Sequence, residues 1–294
     1  MAKSFDCFNE AIAKDSNYAL AYAGLVEAYF NLSFFASPVE VWTKAKSAAL
    51  RALQIDGGLA EAHYAMALVS ICYDRDWRTA EIEFKRAIEL NPNYAPAHDW
   101  YAYSVLAQAG RFDEAFNELE KACELDPLSL AINTDYGNCL YWAGEYEQAI
   151  ARLKKVIEME NQFFIAHMFL GLAYLKTGQF TEAISELELA QSQSQHPAAA
   201  GFLGYGYTVV GNEPAARRIL DELIGQSETT FIPPDAIAMI YSGLGEKPQA
   251  FKWLQMACDK RTVVSLSLRV EPIFESLRAD DEFADLLRRI GLDS

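Results

Sequence analysis

The chain is poor in the features that carry membrane insertion, disulfide frameworks and nucleic-acid binding. Within its 294 residues no apolar run approaches the ~20 that a bilayer-spanning helix requires. Cationic residues are scarce, with 25 Lys and Arg against 41 Asp and Glu and a formal charge of −16. Direct binding to nucleic acid or to an anionic membrane demands clustered Lys and Arg, so neither is expected. Five cysteines (Cys7, Cys72, Cys123, Cys139, Cys258) lie scattered, with no CxxC pair and no histidine at metal-ligand spacing. That usage fits reduced thiols in a cytoplasmic protein better than a disulfide framework. The charged opening MAKSFDCFNEAIAKD argues against a secretory signal. What is present is ample core material, 51% hydrophobic residues with 22% charged.

A repeat organises that material. The alanines Ala45, Ala80, Ala115, Ala149, Ala183, Ala216 and Ala250 follow one another at 35, 35, 34, 34, 33 and 34 residues. Seven residues after each stands Ala52, Ala87, Ala122, Val156, Ala190, Leu223 or Ala257, two helical turns on and therefore on the same helix face. Gly110, Gly144, Gly178, Gly211 and Gly245 come about five residues before the first alanine, where a helix should stop and turn. A third small column, Ala67, Ala102, Gly137, Gly171, Gly204 and Ala238, falls midway along the preceding helix. Each unit thus reads as helix, glycine turn, helix and breaker, the breaker being Pro92, Pro127, Gly57, Asn161 or Gln195.

Stretches such as GRFDEAFNELEKACELDP and LGLAYLKTGQFTEAISELELA resemble the tetratricopeptide repeat family, over about residues 1–258. The resemblance implies an all-α, right-handed solenoid whose first helices line a concave face. The end of the chain, with FESLRADDEFADLLRRIGL, is similar to the C-terminal repeat arrays of bacterial multidomain regulators. There such arrays follow a winged-helix domain, a nucleotide cyclase or a Ser/Thr kinase, and none of those domains is present in this sequence. Three parts are expected: residues 1–16 as the second helix of a truncated repeat, 17–258 as seven repeats, and 259–294 as capping helices. The leading half-repeat suggests a piece of a longer chain. Its Phe5, Phe8 and Ile12 would form an apolar stripe with nothing before it to cover it. With Phe34 and Phe35, in a seven-residue insert of the first unit, that stripe offers a self-association surface for a homodimer.

Catalysis is not expected. His63, His98 and His167 recur at one place in their repeats and read as packing residues rather than ligands. The acidic clusters sit on solvated helix faces, and no serine or cysteine has a patterned base beside it. No metal or cofactor is expected. The concave face should present Phe30, Tyr64, Leu68, Asp99, Tyr103, Asn138, Tyr141, Trp142, Met168, Leu172 and Tyr205, an aromatic and aliphatic groove suited to a peptide or protein segment. Glu27, Asp99 and Asp235 would favour a neutral or basic segment. Inward cations for a C-terminal carboxylate are lacking. An inward asparagine ladder is absent too, its column holding Gly24, Ala65, Trp100, Asp135, Phe169, Phe202 and Ala236. A small-molecule sensor, closing at 191–200 or 225–234, is the other alternative.

Overall fold

The computed structural model describes residues 2–194 and 196–292, so the breaker expected at Gln195 lies outside the described residues. Among the described residues there are sixteen α-helices and no strand. A first helix, α1 (Ala2–Lys14), precedes seven antiparallel pairs. These are α2 (Ala19–Leu32) with α3 (Pro38–Ile55), α4 (Ala60–Val69) with α5 (Trp77–Leu90), and α6 (Ala95–Tyr101) with α7 (Phe112–Leu125). Then follow α8 (Leu130–Trp142) with α9 (Tyr146–Met159), and α10 (Phe164–Lys176) with α11 (Phe180–Gln193). The last are α12 (Pro197–Val209) with α13 (Glu213–Ser227), and α14 (Pro234–Gly243) with α15 (Lys247–Asp259). Two short 3₁₀ turns, Val264–Ser267 and Pro272–Leu277, lead to α16 (Asp281–Arg289).

The two helices of a pair have different surroundings, and their sequences show it. In α7 only Ala115, Leu119 and Ala122 are buried, a single stripe at i, i+4 and i+7. In α10 every residue from Ala166 to Leu175 is buried. An outer helix contacts its neighbours along one face, whereas an inner helix is enclosed all round.

Spacing has a direct structural correlate. The two intervals of 35 residues each contain a π-helical turn at the end of the first helix, at Ser70–Asp74 and Ala102–Leu106. Ala107 N–H bonds to the Ala102 carbonyl at 2.9 Å, so one extra residue is absorbed without unwinding the helix. The glycines of the turn column all adopt positive φ, from 74° to 84°. Arg75 occupies the same place 35 residues before Gly110 and is also left-handed, at φ 59°. A side chain there costs about 1–2 kcal/mol, so Arg75 must earn its place elsewhere.

The stripe on α1 is covered on one side. Phe5, Phe8 and Ile12 are half-buried against the core, and the Phe5 ring lies 5.0 Å from that of Tyr29 on α2. Phe8 presses onto Gly24, where a Cβ would stand 2.3 Å from its ring. A second helix turns its apolar face toward the first helix of the next unit, so α2 covers one side of the stripe and leaves its residues half-exposed.

The C-terminal segment does more than cap α15. Arg75, buried between the two ends, donates to the Thr262 carbonyl at 3.0 Å and the Ser265 hydroxyl at 2.9 Å. Trp77 Nε1 donates to the Ile290 carbonyl at 2.6 Å. Lys247 pairs with Asp280 at 2.6 Å and Arg289 with Asp259 at 3.3 Å, which fix α16 to the last pair. The segment therefore crosses the inner side of the array and reaches the second pair.

Candidate functional site

The inner helices and the crossing segment enclose a cavity of about 600 Å³. Its walls come from α2, α6 with its π turn, α8, α10, the start of α12 and residues 263–271. Aromatic rings dominate. Phe34 and Phe30 lie 5.2 Å apart, Phe30 and Trp100 4.8 Å, Trp100 and Tyr103 5.8 Å, and Tyr103 and Trp142 4.9 Å. These edge-on and tilted pairs form a continuous wall along the inner face. At the rim, His196 sits against Phe34, Phe35 and Phe164 at 5.7, 5.0 and 6.4 Å. Burial pushes the His196 ring down to about 4, so it is neutral. Its Nδ1 accepts Ala198 N–H at 3.1 Å, leaving Nε2 as an unpartnered donor.

The polar groups cluster around Tyr103. Gln108 Nε2 donates to the Tyr103 carbonyl at 3.0 Å and Asn138 Nδ2 to its hydroxyl at 3.1 Å. The remaining oxygens, Gln108 Oε1, Asn138 Oδ1 and Thr134 Oγ1, are buried without partners. Asp135 also lines the cavity, and burial lifts its carboxyl to about 7. The wall contains no Lys or Arg. Asp99, behind it on α6, is raised well above the usual carboxylate range by burial and by the neighbouring Asp135.

Of the eleven residues expected on the concave face, Phe30, Tyr103, Asn138, Trp142 and Met168 line this cavity. The other six do not. Tyr64 packs between Phe84 and Tyr94, at 6.1 and 5.4 Å, and Leu68 and Leu172 are 1% exposed in the core. Asp99 is 3% exposed, and Tyr205 is buried. Tyr141 is fully buried beside the crossing segment. These corrections share one cause, since an inner helix is packed on all sides and only a narrow strip of it faces the cavity.

The residues missed are equally instructive. Trp100, Asp135, Phe169 and Phe202 all line the cavity. They form one column of the repeat, the column in which the sequence offers no asparagine ladder. Phe34 and Phe35, expected at a self-association surface, lie on the cavity wall and rim. Glu271, which no periodicity marks, accepts Tyr141 Oη at 3.2 Å and Trp142 Nε1 at 3.0 Å.

The histidine column is a set of fasteners. His63, His98 and His167 each bond through Nδ1 to a glutamate on the following helix, Glu83, Glu118 and Glu186, at 2.6, 2.6 and 2.5 Å. Each Nε2 bonds to a carbonyl six residues back, at Gly57, Pro92 and Asn161. Among the described residues no group of three His, Cys, Asp or Glu could hold a metal ion. No helix among them is long and apolar enough to cross a membrane.

Residues 106–173 and 143–204 match the tetratricopeptide repeat family. No curated protein matches the chain. Among solved structures, the pilF protein of Pseudomonas aeruginosa is 19% identical with a TM-score of 0.54, over 74% of this chain and 95% of that one. The APC/C hetero-tetramer Cut9-Hcn1 contains a chain 18% identical, TM-score 0.63, aligned over 97% of this chain and 52% of its own. Human IFIT1, solved as a dimer with m7Gppp-AAAA, is 14% identical with a TM-score of 0.63, over 98% and 73%. At these identities the structural likeness shows the fold alone. The helix-pair period and the left-handed glycine turns agree with the family match, which shows tetratricopeptide repeats over residues 106–204 within a fold of the same kind.

Proposed function

We propose that this chain is an interaction module that holds a segment of a partner protein in its aromatic cavity, as the regulatory part of a larger bacterial signalling or transcription protein. One observation carries the reading. The inner face already binds a peptide segment, its own residues 262–271, through Arg75, Tyr141 and Trp142. Beside that segment remains an aromatic-lined volume of about 600 Å³. Rings of this kind bury large areas and lose little side-chain freedom on binding, which is why they anchor protein interfaces.

A second reading is a small-molecule sensor. The size of the cavity favours it, because about 600 Å³ falls within the ~300–1,000 Å³ usual for ligand pockets. The two separate in one experiment. A photo-crosslinking amino acid at Phe35, on the rim, should capture a protein from host lysate. The same probe in a Trp100→Ala, Tyr103→Ala background should lose it, with helicity retained by circular dichroism. Equal capture in both backgrounds would sink the partner-segment reading.

A further inference from the structure

Four observations at the cavity point to the chemistry of its occupant. The lining holds two carboxylates, Asp135 and Glu271, and no Lys or Arg. Asp135 lines the same region with no ion pair, and the titratable groups around it are Asp99, Tyr103 and Cys139. Above them runs the Phe30–Trp100–Tyr103–Trp142 wall, whose ring faces carry negative electrostatic potential. The whole chain is strongly acidic. A carboxylate held in a largely apolar site without a counter-charge is costly unless a positive charge joins it.

We infer that the cavity receives a primary ammonium on an apolar stem, and that it is the lysine side chain of a partner segment. The stem lies along the aromatic wall, and the ammonium is met by Asp135. An ammonium supplies the positive charge and the N–H donors that the Asp135 carboxylate lacks, which no neutral hydrocarbon could. Ring faces add cation–π attraction to the charge pairing. A carboxylate ligand is disfavoured by the same geometry, because it would bring negative charge to Asp135 and Glu271. Burial raises the Asp135 carboxyl when the site is empty, and a bound cation would hold it ionised.

The inference rests on the cavity being the place where a segment binds, and the test keeps the two apart. The probes are the capped peptides acetyl-Phe-Lys-Phe-amide and acetyl-Phe-norleucine-Phe-amide, with free 2-phenylethylammonium and 3-phenylpropanoate. Binding is followed by the fluorescence of Trp100 and Trp142 and by calorimetry. The lysine peptide should bind at least about tenfold more tightly than the norleucine peptide, and 3-phenylpropanoate should not bind. Asp135→Asn should remove that preference while keeping the norleucine peptide's weaker binding. Because Asp135 has no counter-charge beside it, the Asn variant should unfold at a temperature no lower than the parent's at pH 7.5, so loss of binding cannot be ascribed to misfolding. Asp135→Ala provides a second variant with the same expected loss. Equal binding of the two peptides would overturn the ammonium assignment and leave the partner-segment reading standing. Tighter binding of free 2-phenylethylammonium than of the lysine peptide would overturn the lysine source. Binding of no probe, with the cavity holding water only, would overturn both.

Discussion

Glu271 and Trp142 meet at 3.0 Å across 129 residues of chain, the indole N–H donating to the carboxylate. Tyr141 shares the same carboxylate at 3.2 Å, and Ile273 N–H bonds to it at 3.3 Å. Burial raises the Glu271 carboxyl above its ordinary range, and the bonds from Trp142, Ile273 and Tyr141 work against that rise. This junction ties the C-terminal segment to the inner face.

Removing the carboxylate should therefore release the segment. Glu271→Ala leaves three buried donors, Trp142 Nε1, Tyr141 Oη and Ile273 N–H, unpaired and should cost about 2–3 kcal/mol in urea unfolding. Glu271→Gln keeps an acceptor and should lose less. Tryptophan emission should shift to the red in the Ala variant, and limited proteolysis should cut between residues 259 and 280. An unchanged cleavage pattern would show that the junction does not hold the segment.

Arg75 combines a backbone penalty with a side-chain gain. Replacing it by alanine keeps the left-handed conformation and loses both bonds to the C-terminal segment. Glycine loses the bonds but removes the strain. Arg75→Gly should consequently be more stable than Arg75→Ala by about 1 kcal/mol, with both less stable than the parent. Glycine and alanine variants of equal stability would mean that the turn carries no strain.

Gly24 is where α1 packs onto α2. A methyl group there would meet the Phe8 ring, so Gly24→Ala should lift α1 and cost about 1–3 kcal/mol. Hydrogen exchange should quicken in residues 3–14 and stay unchanged in α8 and α10. Exchange that quickens uniformly would contradict a local effect.

His167 gives a pH signature. Burial alone would lower its pKa, but the Glu186 carboxylate and the Asn161 carbonyl outweigh burial and raise it above the ordinary 6.5. The folded protein thus holds a proton that the unfolded chain gives up sooner. The stabilisation is complete below pH 6.5 and is lost as pH rises through the higher folded value. Unfolding of the parent and of His167→Asn should differ more at pH 6 than at pH 8. A difference that grows with pH would overturn this sign.

Much of the molecule was written in its repeat. Alanine and glycine columns near 34 residues determine the helix pairs, because a helix can approach closely only over small side chains and can turn sharply only where positive φ is tolerated. Even the π turns are legible, since the two 35-residue intervals mark where one extra residue must be absorbed. The cavity was not. Adjacent residues Tyr141 and Trp142 are both large, aromatic and inward-leaning by sequence, yet Trp142 lines the cavity while Tyr141 is enclosed in the core. A helix buried on all sides has no polar face to report its orientation, so a turn of 100° per residue goes unrecorded in composition. Glu271, Thr262 and Ser265 lie outside the periodic region, and nothing local announces partners more than 100 residues away. Only the closing of the array, which brings the C-terminal segment across its inner face to Arg75 and Trp142, decided which side chains share the site.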